Sequence, residues 1–200
     1  MKKYILACMV IMLATANSFS QSFMHGVGLN VFVATAPGGK AAVNEGITWS
    51  PRFNFIEQDN MSVSVGIPVT VGASFSYSAD YNSYYGSSSN SSFSVMINAP
   101  LLINLNMGAG ATKETERRFG YFIGGGFGYH YGTYNLSDAI YYDNGDYVTA
   151  KLNTFGPVGN AGVRFAVGRH THNVEVRLQY MKGLNDSKAN IYGAGAAFNF

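Results

Sequence analysis

Cysteine is nearly missing from this 200-residue chain: Cys8 is the only one. Charge is scarce as well, with Asp, Glu, Lys and Arg at 12%, against about 25% in an ordinary soluble domain. The formal net charge of +2 is matched by Lys2 and Lys3 alone. The rest of the chain is therefore balanced, has no electrostatic footprint for a phosphate backbone, and is not expected to bind nucleic acid. The long Ala/Leu/Glu/Lys stretches of a helical bundle are absent. After the first twenty residues no apolar run approaches the ~18 residues of a spanning helix. What the chain does have is 24 Gly, 14 Tyr and 14 Phe, too many aromatic and β-branched residues with too little charge for a disordered chain.

The N-terminus reads as an address. Lys2 and Lys3 precede a short apolar core, Ile5 to Leu13, followed by Ala14-Thr15-Ala16 and Ser18-Phe19-Ser20. A charged n-region, a short h-region and small-x-small sites make residues 1–20 a secretory signal peptide, with cleavage expected after Ser20 and, as second choice, after Ala16. Ile5-Leu6-Ala7-Cys8 loosely resembles a lipoprotein acylation box, but the apolar run continues past Cys8 to Leu13, so Cys8 is read as part of the h-region. The mature chain then has no disulfide, thiolate chemistry or cysteine metal site.

Residues 21–200 are dominated by alternation with a period of two. In Met61-Ser62-Val63-Ser64-Val65-Gly66-Ile67-Pro68-Val69-Thr70-Val71-Gly72 the odd positions are apolar and the even ones small or polar, a pattern for a strand with two unlike faces. Eight such segments recur, near 23–34, 46–56, 61–77, 92–106, from Phe119, up to Val167, 173–181 and to Phe200. Even-numbered connections such as 57–60 and 168–172 are tight. Odd-numbered ones, at 35–44, 78–91, 135–150 and 182–188, are long. Met107–Arg118 is an exception, a long even connection rich in charge. Tyr141–Val148 reads as a hairpin around Asn144-Gly145, and Tyr84–Ser92 as a flexible serine-rich loop. Eight strands are expected, or ten if 135–150 re-enters the membrane.

Alternation alone also suits a soluble sandwich, but three features turn the apolar face toward lipid. The strand charges Arg52, Arg164, Glu175 and Arg177 all fall on the opposite face, as the cost of charge on a lipid face demands. Phe53, Phe55, Phe119, Tyr121, Phe198 and Phe200 lie at the short-turn ends. Phe75, Tyr77, Phe93, Tyr129, Tyr131 and Tyr180 lie toward the long loops, as two interfacial belts would. Finally, the chain closes on Tyr192, Ala194, Ala196, Phe198 and Phe200 in alternation.

That ending resembles the C-terminal signal of bacterial outer-membrane barrels, and the whole pattern resembles the small eight-stranded barrels of the OmpX or OmpA-barrel kind. The resemblance implies an all-β fold, a closed antiparallel up-and-down transmembrane β-barrel of eight strands over 21–200. It also implies the outer membrane of a Gram-negative bacterium, outer-membrane lipid around the wall, and recognition of Tyr192, Phe198 and Phe200 by the barrel-assembly machinery.

Such a barrel is just wide enough for side chains to fill. Glu175 is expected to pair with Arg164, Arg177 or both, with Arg52 reaching the same lumen network, since an unpaired buried charge costs several kcal/mol. Gly124-Gly125-Gly126-Phe127-Gly128 lacks the Lys-Ser/Thr ending and helix of a phosphate loop. His170-x-His172 has no third ligand nearby, and no Ser/His/acid set can be assembled. No enzyme, metal or cofactor is therefore expected. The expected role is structural, or interaction with a surface protein through the external loops. A small porin-like channel and a lipocalin-like periplasmic ligand binder are the alternatives.

Overall fold

The computed structural model describes residues 22–36, 39–82, 86–136, 149–168, 172–185 and 188–200, with backbone alone over 39–40, 74–82, 86–94, 133–136 and 149–152. The expected signal peptide, the whole Tyr141–Val148 hairpin and His170 lie outside these residues. The regular elements are all strands: β1 (Ser22–Met24), β2 (Gly26–Thr35), β3 (Gly39–Lys40), β4 (Ala42–Trp49), β5 (Arg52–Gln58), β6 (Met61–Gly66), β7 (Val69–Asn82), β8 (Gly86–Gly108), β9 (Phe119–Leu136), β10 (Thr149–Ala166), β11 (Asn173–Lys182) and β12 (Asn190–Asn199).

Eight strand positions build the wall, because β1–β2, β4–β5 and β6–β7 are each one strand with an interruption. Pro51 and Pro68, which have no N–H to donate, stand in two of the breaks. The register carries through them: Ser50 N donates to Gly26 O (2.8 Å) and Ile67 N to Pro51 O (3.2 Å). Every neighbour is antiparallel, and β12 pairs with β2 to close the ring. The seam ends on Phe200, whose N–H donates to His25 O at 2.9 Å. Stepping across the paired residues from Met24 through Arg52, Gly66, Leu102, Gly126, Val158, Met181 and Ile191 returns to the first strand at Ala34, ten residues from the start. A stagger of this size tilts the strands by roughly 40°.

Side chains sort strictly by face. Leu29, Ile47, Ile123 and Leu178 on the outside are all more than 60% exposed, whereas Asn44, Ser64 and Asn106 on the inside are fully buried. Exposed apolar residues occur on all eight strand positions, far beyond a patch that a water-soluble monomer tolerates. A closed ladder leaves no sheet edge in the wall, the condition for strands in hydrocarbon. A lipocalin-like barrel needs the inverse arrangement. Phe23, Phe53, Phe119, Tyr121, Phe165, Phe198 and Phe200 gather at the short-turn end, with ring pairs Phe119–Phe165 (5.4 Å) and Phe198–Phe200 (6.1 Å). Toward the loops stand Tyr129, Phe155, Tyr180 and Tyr192, the last two 5.2 Å apart. The side chains of Phe75, Tyr77 and Phe93 lie outside the described residues.

The strands depart from simple alternation in three places. A bulge between Asn54 and Ile56 leaves Phe55 out of the ladder, so Ile56 takes the outward place expected for Phe55 and Glu57 turns toward the mouth. Glu45, near the loop-side start of β4, points outward, where a carboxylate can reach headgroup level at little cost. Much of the serine-rich stretch read as a loop is strand: Ser87 to Ser92 pair with Tyr81 to Ser76.

Leu178, 63% exposed between Ala161 and Ala194, tests the wall. Leu178→Arg should lose about 2–4 kcal/mol of unfolding free energy in lipid vesicles, measured by urea titration. No loss would mean that this wall faces water.

Candidate functional site

Period-two geometry brings residues from distant parts of the chain into one lumen. Arg164 on β10 and Glu175 on β11 are direct register partners, and Arg177, two residues on, shares their face. Glu175 Oε2 accepts from Arg164 Nε at 2.7 Å, and Oε1 accepts from Arg177 Nε at 2.9 Å and from its Nη2. The carboxylate thus lies between two guanidinium groups, and Asn199 Nδ2 donates to it at 3.3 Å. Arg164 Nη1 also donates to Asn106 Oδ1 at 2.9 Å. Under both arginines lies Phe122, its ring centre 4.4 Å from the Arg164 guanidinium carbon and 5.5 Å from that of Arg177, a cation–π arrangement.

Arg52, expected in the same network, meets it through a shared carbonyl and not through Glu175. Its Nη2 donates to the Gly110 carbonyl and to Met24 Sδ (3.1 Å), and Arg164 Nη1 reaches the same carbonyl at 3.4 Å. Gly110 belongs to the exceptional connection 107–118, which turns into the barrel. Ala111 O accepts from Ser62 Oγ (2.6 Å) and Asn54 Nδ2 (3.0 Å), and Thr112 Oγ1 donates to Asp59 O (3.0 Å). Ala109, Ala111 and Thr112 are buried. The segment therefore caps the turn-side end of the lumen. Its signal in the sequence is a run of small uncharged residues, Gly108-Ala109-Gly110-Ala111-Thr112, ahead of the charged stretch. Sequence reasoning noticed the length and the charge and passed over the small residues.

The lumen is not polar throughout, contrary to expectation. Its loop-side half holds an apolar cluster of Phe32, Ala34, Met96, Leu102, Val158, Met181, Ala189 and Ile191. Buried His130 stands edge-on to Phe32 (5.7 Å), with Nδ1 3.3 Å from Asn98 Oδ1. Above this cluster, β3 pairs with β9, Gly39 opposite Leu136 and Lys40 opposite Asn135. β9 is on the far side of the barrel from the strands that β3 connects, so the chain between β2 and β4 meets the opposite wall.

Glycines make this filling possible. Phe122 is the cross-strand partner of Gly162, and Phe32 that of Gly193. A Cβ at either glycine would meet the ring within 2.7 Å. Asn104 and Asn30 face Gly124 and Gly195 in the same way. These glycines, on β9, β10 and β12, are thus seats for side chains of the neighbouring strands.

The remaining sequence-singled residues lie outside the lumen. Tyr192, Phe198 and Phe200 face outward along β12, Phe200 against His25 (4.3 Å) and Phe198 against His172 (5.6 Å). Among the described residues no three His, Cys, Asp or Glu side chains gather as metal ligands. Two substitutions probe the lumen. Glu175→Ala leaves the buried Arg164 and the partly buried Arg177 uncompensated and should cost about 3–5 kcal/mol in equilibrium unfolding. Gly110 has φ +67°, and a Cβ there would meet Asn173 Nδ2 at 2.5 Å. Gly110→Val should therefore unseat the cap, lower stability by at least ~1–2 kcal/mol, and open Lys113 and Arg117 to trypsin in detergent.

No known protein-family profile matches the sequence, and no curated protein matches it. Solved structures do. Ail, the attachment invasion locus protein of Yersinia pestis, superposes with a TM-score of 0.50 at 12% identity, over 91% of this chain and 99% of Ail. Neisserial surface protein A gives 0.50 at 11% identity, over 90% of this chain and 97% of its own. With the closed ring, its stagger and the lipophilic wall, these likenesses establish the chain's fold: it is that of the small eight-stranded outer-membrane β-barrels.

Proposed function

We propose that the protein is an integral outer-membrane barrel of a Gram-negative bacterium that does not conduct solutes and acts through the strands projecting from its loop side. In this reading residues 1–20 direct export, and the barrel-assembly machinery receives the β12 terminus with Tyr192, Phe198 and Phe200.

The observation that carries the reading is the extent of two ladders. β7 and β8 stay paired from Ser76–Ser92 out to Asn82–Gly86. The adjoining pairings stop earlier, at Val43–Phe75 and Ile97–Tyr131. β9 and β10 likewise remain paired as far as Asn135–Thr149, but β3 covers the β9 edge at Asn135 and Leu136, so among the described residues the open edges are those of β7, β8 and β10. Ribbons that outrun their neighbours offer unpaired backbone N–H and C=O groups, the template by which a partner's extended strand adds to a sheet. The partner class is therefore a surface protein with an extended segment. The packed lumen supports the absence of conduction: Glu175 is held by two arginines, the 109–112 segment caps one end, and the apolar cluster fills the other half.

Outer-membrane fractionation with surface proteolysis of intact cells tests the reading. The protein should fractionate with the outer membrane and migrate faster unheated than boiled. External protease should cut within the loop-side connections, 78–91 and 135–150 above all, and not at the turn side. Purified protein in a planar bilayer should give no reproducible conductance steps. Steady steps would favour the porin-like alternative, and recovery in the soluble periplasm would end the proposal.

A further inference from the structure

The turn-side lumen holds three described arginines, Arg52, Arg164 and Arg177, and one described carboxylate between them, Glu175. Both oxygens of Glu175 are occupied by Arg164 and Arg177. Arg52 is left over. It is only 8% exposed, and its Nε and Nη1 meet no hydrogen-bond acceptor in the protein. Glu57, at the mouth, accepts instead from Ser22 Oγ and Asn54 Nδ2. Enclosed donors without acceptors are costly, and a guanidinium group cannot shed its charge to avoid the cost.

Beside Arg52 is a small void of about 10 Å³, lined also by His25, Ser50, Asn104, Arg164, Arg177 and Asn199, with Glu175 on its rim. The void takes one small group only. A water there would accept from Arg52 but leave the excess positive charge uncompensated.

We propose that this void is a binding site for a single monatomic anion of the halide class, seated against Arg52 Nε and Nη1. The anion offsets one of the two excess positive charges of this part of the lumen and fixes the side chain that holds Gly110. The site is independent of the role assigned to the external ribbons.

Bromide is the probe. Crystals of the detergent-extracted full chain grown in sodium bromide should show an anomalous peak within hydrogen-bonding distance of Arg52 Nε or Nη1. Arg52→Gln, judged folded by its heat-modifiable migration, should lose that peak. In solution the unfolding temperature should rise saturably with bromide against sodium gluconate at equal ionic strength, and the rise should vanish in Arg52→Gln. If that variant does not fold, the wild-type titration and peak decide. Ordinary water density beside Arg52, bromide only on the outer surface as an adventitious ion, or identical melting in bromide and gluconate would overturn the site.

Discussion

Eight strands closed through a stagger of ten residues enclose a lumen whose width the backbone sets and the side chains must fill. That closure governs the interior of this protein. Large inward groups stand opposite glycine, as Phe122 does with Gly162 and Phe32 with Gly193. The glycine content thus reflects a packing rule repeated round the ring. Where facing side chains do not fill the space, the chain supplies a segment of its own: Ala109 to Thr112 bend inward at the turn-side end.

The interior divides into two halves with different physics. The loop-side half is packed like an ordinary core, from Phe32 to Ile191, and fits by shape. The turn-side half is held by directional bonds to Glu175, Asn106, Asn54 and Ser62. Buried ion pairs contribute little net stability over an apolar replacement, yet they are costly to break singly. The pair of arginines on Glu175 therefore matters less as a source of stability than as a constraint on register, since Arg164 meets Glu175 only when β10 and β11 are paired as observed.

Much of this was legible because a wall facing hydrocarbon tolerates few exceptions. Met61 to Gly72 alternates without error, and the inward face of Arg52, Arg164, Glu175 and Arg177 could be read from parity alone. Parity failed where the backbone broke its own period. The bulge after Asn54 moved Ile56 into the place expected for Phe55, and a bulge leaves no reliable mark in one sequence. Glu45 escaped notice because the second strand begins earlier than its apolar pattern. The serine-rich stretch carries little β preference, and its ladder comes from tertiary pairing with β7. The apolar half of the lumen was missed because inward residues such as Phe32, Met96 and Met181 look like lapses in alternation until closure brings them together. The cap was hidden because contact between Gly110 and Arg52 depends on two strands far apart in the chain.

The cap also bears on the order of events as the barrel forms. Arg52 lies in the second strand position and Arg164 in the sixth, on walls that face one another only after the sheet has curled. The carbonyl of Gly110 can be held by both only at that stage. The bonds of Ala111 O to Ser62 and Asn54 join neighbouring strands and do not need closure, so closure adds only the bridge from Arg52 through Gly110 to Arg164. Interactions of that kind act on the rate of escape from the finished state more than on the rate of reaching it. The segment between β8 and β9 is in this sense a latch: its bridge between opposite walls exists only in the closed barrel.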